Sequence, residues 1–261
     1  MDWSGFKILF FDLDGTLLNS QKCISEMTAR SIAQCKEKGL KIGVCTSRSE
    51  INSLVFIDKI KPDVIVSSGG ALVNVEGRYI AKHEFSGDET KEVIQKLRDL
   101  IGNDCEITVD TVSAHYWNYK IDPNFTEANW GDSIFSDFRD FNCPSLKICV
   151  EIRDESKIKA FFDLFKEYDC IRFSDGNWYK ITKRDITKER AVQDVVSYYG
   201  YSADAVISFG DDFADIGMLK MSGLGVAMGN GLDEVKAVAD IVVGTNDENG
   251  ISCFINREIL K

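Results

Sequence analysis

Two aspartates directly follow a short apolar segment near the start of the chain. The stretch KILFFDLDGTLL, residues 7–18, runs through four apolar residues into Asp12 and, one leucine later, into Asp14 and Gly15. Such an apolar segment is typical of a strand that is covered on both faces. Carboxylates at the end of a strand can attack an electrophile, transfer protons or bind a hard cation. The tight DLDGT turn also offers consecutive backbone N–H groups that could hold an anion.

Hydroxyl residues, a glycine pair, a lysine and further aspartates follow other predicted strands or begin a predicted helix. They are, in chain order, Thr46, Ser67, Ser68, Gly69, Gly70, Lys188, Asp211 and Asp212. Because ligands bind at the carboxyl ends of parallel strands, we expect these residues to converge with Asp12 and Asp14. Neighbouring carboxylates repel one another unless a cation lies between them, and their oxygens suit Mg²⁺. Thr46 and Lys188 would then contact an anion next to the metal, for which phosphate is the natural candidate.

Strands and helices alternate in two separate parts of the chain. The apolar segments at 7–11, 41–45 and 63–67 are separated by helical patterns, which predicts a parallel sheet with right-handed crossovers. The same alternation resumes after residue 182. Residues 83–182 instead contain two amphipathic helices and several short strands. We therefore predict an α/β domain formed by residues 1–82 and 183–261, with an α+β module inserted at 83–182.

The composition indicates which kinds of partner are disfavoured and in which cellular compartment the protein is expected. The 261 residues carry a net charge of -11, so nucleic acid and anionic membranes are poor partners. The eight cysteines form no C-x-x-C pair, and the chain starts without the pattern of a signal peptide. We expect reduced thiols and a cytoplasmic protein. No apolar segment approaches the length of about 18 residues that a membrane-spanning helix needs.

Four segments resemble, in this order, the four motifs of the haloacid dehalogenase-like hydrolase superfamily. They are FFDLDGTLL, CTSR, TKERAV and GDDFADIGML. The tail LGVAMGNGLDEVKAVADIVVGTNDENGI resembles the Cof-type phosphatases, which carry a large cap domain between the second and third motifs. The resemblance implies a Rossmann-like, doubly wound parallel sheet as the core and an α+β cap at 83–182.

The resemblance also implies a role for each matching residue. Asp12 would be the nucleophile that forms an aspartyl-phosphate. Asp14 would protonate the leaving alkoxide and then activate water, which requires a raised pKa. Asp12, the Asp14 backbone carbonyl and Asp211 would bind Mg²⁺. Thr46 and Lys188 would hold the phosphoryl oxygens.

Two positions depart from the family pattern. Ala214 stands where the fourth motif usually has an asparagine, and Gly69 stands where the loop after the third strand usually has one. Both changes affect the expected rate and substrate orientation. Asp215, which keeps the family spacing, is expected to assist as a metal ligand or beside one, and Asp212 is the alternative.

We expect a Mg²⁺-dependent phosphatase that acts on a small phosphorylated metabolite, a sugar phosphate. A phosphosugar mutase of the same superfamily stays open, as does a phospholigand-binding protein without turnover, although Asp14 argues against the latter. A response-regulator receiver is disfavoured because it has no insertion of this size and a different motif order. Specificity is expected within 83–182, where Trp117, Trp130 and Trp178 could stack on a sugar or, as is more common, pack in the core.

Overall fold

The computed structural model describes residues 3–119, 133–174 and 176–261, and Trp130 lies outside them. The first part of the chain contains β1 (Ile8–Phe11), α1 (Glu26–Glu37), β2 (Lys41–Cys45), α2 (Glu50–Ile57), β3 (Val64–Ser67), β4 (Leu72–Val75) and β5 (Arg78–Lys82). Ser25 caps the N-terminus of α1, because its side chain accepts a hydrogen bond from the Thr28 N–H. A hairpin joins β4 to β5, and both residues at its turn, Glu76 and Gly77, have positive φ.

The middle part of the chain forms a second sheet. It contains α3 (Gly87–Ile101), β6 (Ile107–Asp110), β7 (His115–Trp117), β8 (Ser133–Phe135), β9 (Lys147–Glu151), α4 (Ile158–Leu164), β10 (Tyr168–Arg172) and β11 (Trp178–Lys183). The strand order is β10-β11-β9-β6-β7-β8. The pairs are antiparallel except for β7 with β8, which run in parallel.

The last part of the chain returns to the first sheet. It contains α5 (Lys188–Tyr199), β12 (Val206–Gly210), α6 (Ile216–Met221), β13 (Leu224–Ala227), α7 (Asp233–Lys236), β14 (Ile241–Val242) and α8 (Gly250–Phe254). The sequence reasoning did not predict α8. Its residues Ile251 and Phe254 are buried in the same apolar cluster as Ile32 of α1, so packing rather than a local periodic pattern fixes this short helix.

The first sheet has eight strands in the order β14-β13-β12-β1-β2-β3-β4-β5. Its first six strands are parallel, and the hairpin strands β4 and β5 extend it in antiparallel fashion. Both faces of β1 are covered: Leu9 and Phe11 pack in the cluster with α1, whereas Ile8 and Phe10 pack in the cluster that includes α5. The predicted doubly wound α/β core is confirmed.

The second sheet has one apolar and one polar face. Its apolar side chains, among them Val109, Ile148 and Ile181, form one cluster with residues of α3 and α4. The opposite face carries Thr108, Asp110, Lys147, Cys149, Lys180 and Thr182. The two sheets separate close to residues 82 and 183, and we propose that the domains are 1–82 with 183–261 and 83–182. None of the helices in the described ranges has the length and apolar composition needed to cross a membrane.

Candidate active site

The carboxyl end of β1 places Asp12 in a buried polar cluster. The Asp12 backbone N–H donates to the Phe209 carbonyl at 2.9 Å, which continues the pairing of β1 with β12. The Asp12 carboxylate accepts a hydrogen bond from Lys188 Nζ at 2.5 Å, and the same ammonium donates to Asp215 at 2.7 Å. Lys188 is the first residue of α5, which Thr187 caps. A buried lysine therefore bridges two carboxylates that would otherwise repel each other.

Three carboxylates of this cluster could hold a metal ion. Asp12, Asp211 and Asp215 each offer an oxygen, and these oxygens lie within 4.8 Å of one another. Thr16 donates to Asp211 at 2.6 Å, and the second oxygen of Asp215 accepts from the backbone N–H groups of Asp211 and Asp212. An all-oxygen set of carboxylates fixed in this way fits a hard divalent cation.

The shifted pKa values of the cluster support the same interpretation, a site for a divalent cation. Burial raises the pKa of Asp12 well above its usual value, and Lys188 opposes this only in part. Burial and the nearby charge of Asp215 raise the pKa of Asp211 to about 7. Burial would lower the pKa of Lys188, but Asp12 and Asp215 outweigh it and raise that pKa well above its usual value. A bound cation would favour the ionised carboxylates that burial disfavours.

Asp14 lies at the edge of this site with its carboxylate turned to two cations. Arg48 Nε donates to one oxygen at 2.6 Å and Arg48 Nη2 to the other at 2.8 Å, while Lys22 donates at 2.9 Å. Burial alone would raise the pKa of Asp14, but Arg48 and Lys22 outweigh it and lower the pKa to about 2. The expected upward shift at Asp14 is wrong for this arrangement, because the two cations stabilise the carboxylate. Proton donation by Asp14 requires these contacts to loosen first.

The loops after β2 and β3 contact each other next to the cluster. The Thr46 side chain, which is buried, accepts a hydrogen bond from the Arg48 N–H, and its carbonyl accepts one from the Gly69 N–H. Positive φ angles at Ser68, Gly69 and Gly70 turn the second loop back toward α5. A Cβ atom at Gly70 would lie 2.2 Å from the Thr187 carbonyl oxygen, so this position requires glycine.

The residues of the fourth motif differ in their placement. Asp215 is completely buried and lies in the carboxylate cluster, whereas Asp212 caps the turn that follows, where it accepts from the Phe213 N–H at 2.7 Å. Ala214 is buried in that turn. The roles predicted for Asp12, Asp14, Thr46, Lys188, Asp211, Asp212 and Asp215 stay predictions.

Sequence reasoning missed Thr16 and Arg48, the partners of Asp211 and Asp14. Both stand within the segments that carry the family resemblance, DLDGT and CTSR. The available signal was a hydroxyl and a cation in short turns beside carboxylates that need partners. That signal identifies candidates, but it does not say which carboxylate each one contacts.

A buried ionic network joins the second sheet to the loops of the site, and sequence reasoning also missed it. Asp110 accepts from Ser68 Oγ at 2.9 Å and contacts Lys147 Nζ at 2.9 Å and His115 Nδ1 at 2.6 Å. Lys147 in turn donates to the Ser47 carbonyl at 2.6 Å. Burial alone would raise the pKa of Asp110, but Lys147 and His115 outweigh it and lower the pKa to about 2. The signal was a charged residue at the end of the apolar strand ITVD and another at the start of KICVE.

Comparisons with known proteins match the chain over nearly its whole length. The model of the haloacid dehalogenase-like hydrolase family matches residues 9–255. Two relatives from Bacillus subtilis, YitU and YcsE, are both described as 5-amino-6-(5-phospho-D-ribitylamino)uracil phosphatases. They are 29% and 28% identical to this chain over 96% and 97% of its length, and each is covered over 96% of its own length.

Solved structures share the fold over nearly the whole chain. The sugar phosphatase BT4131, of haloacid dehalogenase subclass IIB, is 25% identical with a TM-score of 0.84, over 96% of this chain and 98% of that one. A haloacid dehalogenase-like hydrolase from B. subtilis is 20% identical with a TM-score of 0.86, over 97% of this chain and 100% of that one. The latter similarity shows the fold alone.

Proposed function

Because this chain belongs to the haloacid dehalogenase-like hydrolases, we propose that it is a Mg²⁺-dependent phosphatase that hydrolyses a small sugar phosphate through an aspartyl-phosphate on Asp12. Its class, phosphoric monoester hydrolase, follows from the phosphatases that it matches over nearly their full length. The observation that carries the residue roles is the buried cluster in which Lys188 contacts Asp12 and Asp215 while Asp211 lies beside them.

The proposed first step is attack by Asp12. A carboxylate oxygen of Asp12 forms a bond to phosphorus as the bond to the leaving oxygen breaks, and the electron pair departs with that oxygen. Lys188, with Thr46 nearby, balances the charge of the phosphoryl oxygens. Mg²⁺, held by Asp12, Asp211 and the Asp14 backbone carbonyl with Asp215 beside them, would neutralise charge on the transferring group.

Asp14 is the proposed proton carrier of both steps. It gives a proton to the leaving alkoxide and later takes one from the water that attacks the aspartyl-phosphate, so Asp12 is restored and phosphate is released. Its two cationic partners, Arg48 and Lys22, hold it ionised before substrate binds. If Arg48 and Lys22 moved away from Asp14, its carboxylate could take up the proton that the first step needs.

The substrate class and the compartment rest on separate observations. The phosphatase names of YitU and BT4131 specify a phosphorylated ribityl compound and sugar phosphates, which supports a small phosphorylated polyol or sugar as the substrate here. All eight cysteines are free thiols, which supports the proposed cytoplasmic location.

Phosphate release from a panel of sugar phosphates and from p-nitrophenyl phosphate tests the proposal. Each compound is assayed with Mg²⁺ or with EDTA, using the wild type, Asp12→Asn and the control Asp233→Asn, which removes the same charge at an almost fully exposed position. We expect metal-dependent release that is lost by a factor of at least about 10³ in Asp12→Asn, because no nucleophile remains.

The outcome separates the alternatives. An undiminished rate in a folded Asp12→Asn protein would refute the role of Asp12. If the wild type binds phosphate but releases none from any compound, the phosphatase proposal is wrong, and a mutase or a binding protein takes its place. Unchanged release in EDTA would refute the metal requirement alone.

A further inference from the structure

The polar face of the second sheet carries a buried lysine that the mechanism above does not use. Lys180 of β11 is only 1% exposed. Within residues 3–119, 133–174 and 176–261, its ammonium takes part in no hydrogen bond or ion pair. Lys147, on the same face, differs in this respect because Asp110 neutralises it. A buried cation without a counter-ion is costly, and its retention calls for a reason.

The Lys180 ammonium lies against the loop after β3. A Cβ atom at Gly69 would be 2.8 Å from Lys180 Nζ and 3.1 Å from its Cδ, so a side chain at position 69 would displace the lysine. The Gly69 N–H binds the Thr46 carbonyl, and Gly70 packs on the residue that caps α5 just before Lys188. Lys180 therefore enters the candidate active site from the inserted module, through the space that the absent side chain of Gly69 leaves.

In the part of the chain that the structure describes, the charges around Lys180 do not neutralise it. Burial lowers the pKa of Lys180 to about 8, and the positive charges of Lys147 and Lys188 lower it as well, while Cys149 and Asp169 act in the opposite sense. At neutral pH the side chain thus remains an ammonium, and cations outweigh anions near it. An anion that reaches this position would recover part of the desolvation cost.

The neighbours of Lys180 on the sheet indicate which part of a substrate it meets. Strand pairing places Lys180, Cys149, Thr108 and Trp117 in one row across the polar face, and Trp178 precedes Lys180 on the same side of β11. The transferred phosphoryl group has its own cation in Lys188 of the core. Lys180 comes from the other sheet and lies beside Gly69, so it is available to a different part of the same substrate.

We propose that Lys180 binds a second anionic group of the substrate, a carboxylate or a second phosphate, at the end of the leaving group remote from the scissile phosphate. This assignment rests on the phosphatase function proposed above and narrows its substrate to sugar or polyol phosphates that carry another negative charge. It also gives Gly69 a function, because a side chain there would occupy the place of the ammonium.

Matched pairs of substrates test this assignment. 6-Phosphogluconate and sorbitol 6-phosphate differ only in a carboxylate against a hydroxymethyl group, and fructose 1,6-bisphosphate and fructose 6-phosphate differ in a second phosphate. kcat/KM is measured for all four with the wild type, Lys180→Met and Lys180→Gln. The control is Lys183→Met, on the same strand but partly exposed and paired with Glu89. Thermal unfolding of each variant checks the fold.

We expect the wild type to prefer the doubly charged member of one pair, and that pair identifies the anion as a carboxylate or a phosphate. Lys180→Met and Lys180→Gln should lower kcat/KM for that member about 10- to 100-fold, the size of a charged hydrogen bond, and change the singly charged member little. Lys183→Met should behave as the wild type does.

Two results would overturn the proposal while leaving the phosphatase function intact. One is equal loss for both members of each pair, since Lys180 would then serve the transferred phosphoryl group or the fold. The other is a wild type with no preference in either pair. Release from none of the four compounds, nor from p-nitrophenyl phosphate, would instead contradict the phosphatase function, and the assignment of Lys180 would fall with it.

Discussion

Replacing Lys180 by methionine should stabilise the folded protein at neutral pH. The pKa of this lysine falls from 10.5 to about 8 on folding, because the side chain is buried and lies near other cations. One pKa unit corresponds to about 1.4 kcal/mol, so the charged side chain destabilises the fold by about 3 kcal/mol at pH 7. Methionine has a similar shape and no charge, and Lys180→Met should remove this destabilisation.

The effect should depend on pH in a defined direction. Between pH 8 and 10.5 the unfolded chain holds a proton on this lysine that the folded chain has lost. The stability of the wild type therefore rises with pH through this window, relative to Lys180→Met. The advantage of Lys180→Met should shrink from about 3 kcal/mol at pH 7 to about 1 kcal/mol at pH 9.5.

Urea unfolding at these two pH values measures the difference. The wild type, Lys180→Met and the control Lys183→Met are followed by tryptophan fluorescence, and the free energies of unfolding are compared at each pH. The change of this difference between the two pH values removes any effect of the substitution that does not depend on pH, such as packing. The control should follow the wild type at both.

A Lys180→Met protein that is less stable than the wild type at pH 7 would refute the reasoning, because Lys180 would then have a stabilising partner in the folded state. An advantage that stays the same at pH 9.5 would also refute it, since the gain would come from apolar packing. The expected result is a Lys180→Met protein that is more stable than the wild type but discriminates less well between substrates. It would mean that Lys180 lowers the stability of the wild type in favour of substrate binding.

The other predictions concern Asp110 of the second sheet and Gly70 in the loop after β3. Asp110→Asn leaves Lys147 buried without a counter-ion and should lower the free energy of unfolding by about 3–5 kcal/mol in urea titrations at pH 7; a loss below about 1 kcal/mol would show that the network is not stabilising. The lowered pKa of Asp110 stabilises the wild type fully above pH 4 and loses about 2 kcal/mol as the pH falls through 2, a loss that acid titration of Asp110→Asn should not show. Gly70→Ala should reduce phosphate release at least about tenfold, because its Cβ would displace the Thr187 carbonyl and shift the start of α5; turnover equal to the wild type would contradict the need for glycine there.

The core and the carboxylate cluster were predictable because each signal lies within a few neighbouring residues. The apolar segment ILFF defines β1, and the aspartates that follow it must then lie at the carboxyl edge of the sheet. The same logic placed Lys188 at the start of α5 and Asp211 after β12. Knowing which strand or helix carries each residue, and that all of them lie at the carboxyl edge of the sheet, was enough to predict that they lie close together.

The protonation of Asp14 and the setting of Gly69 were not predictable, since both depend on residues distant in the chain. Arg48 reaches Asp14 from the loop after β2, and its contact reverses the sign of the pKa shift that burial alone would cause. Gly69, viewed in the sequence, is a missing amide. In the structure Lys180, from the other sheet, occupies the space that a side chain would need.

The position of β1 in the middle of its sheet has a consequence for biosynthesis. Ile8 pairs with Lys41 on one side but with Val206 on the other, so one edge of β1 has no partner until most of the chain exists. At about 5–20 residues per second, translation leaves that edge open for roughly 10 to 40 s. An open apolar edge strand is a template for pairing with other chains. Association between nascent chains through this edge should therefore lower the yield of soluble protein. Lower expression rates, or chaperones that cover this strand, should raise the yield.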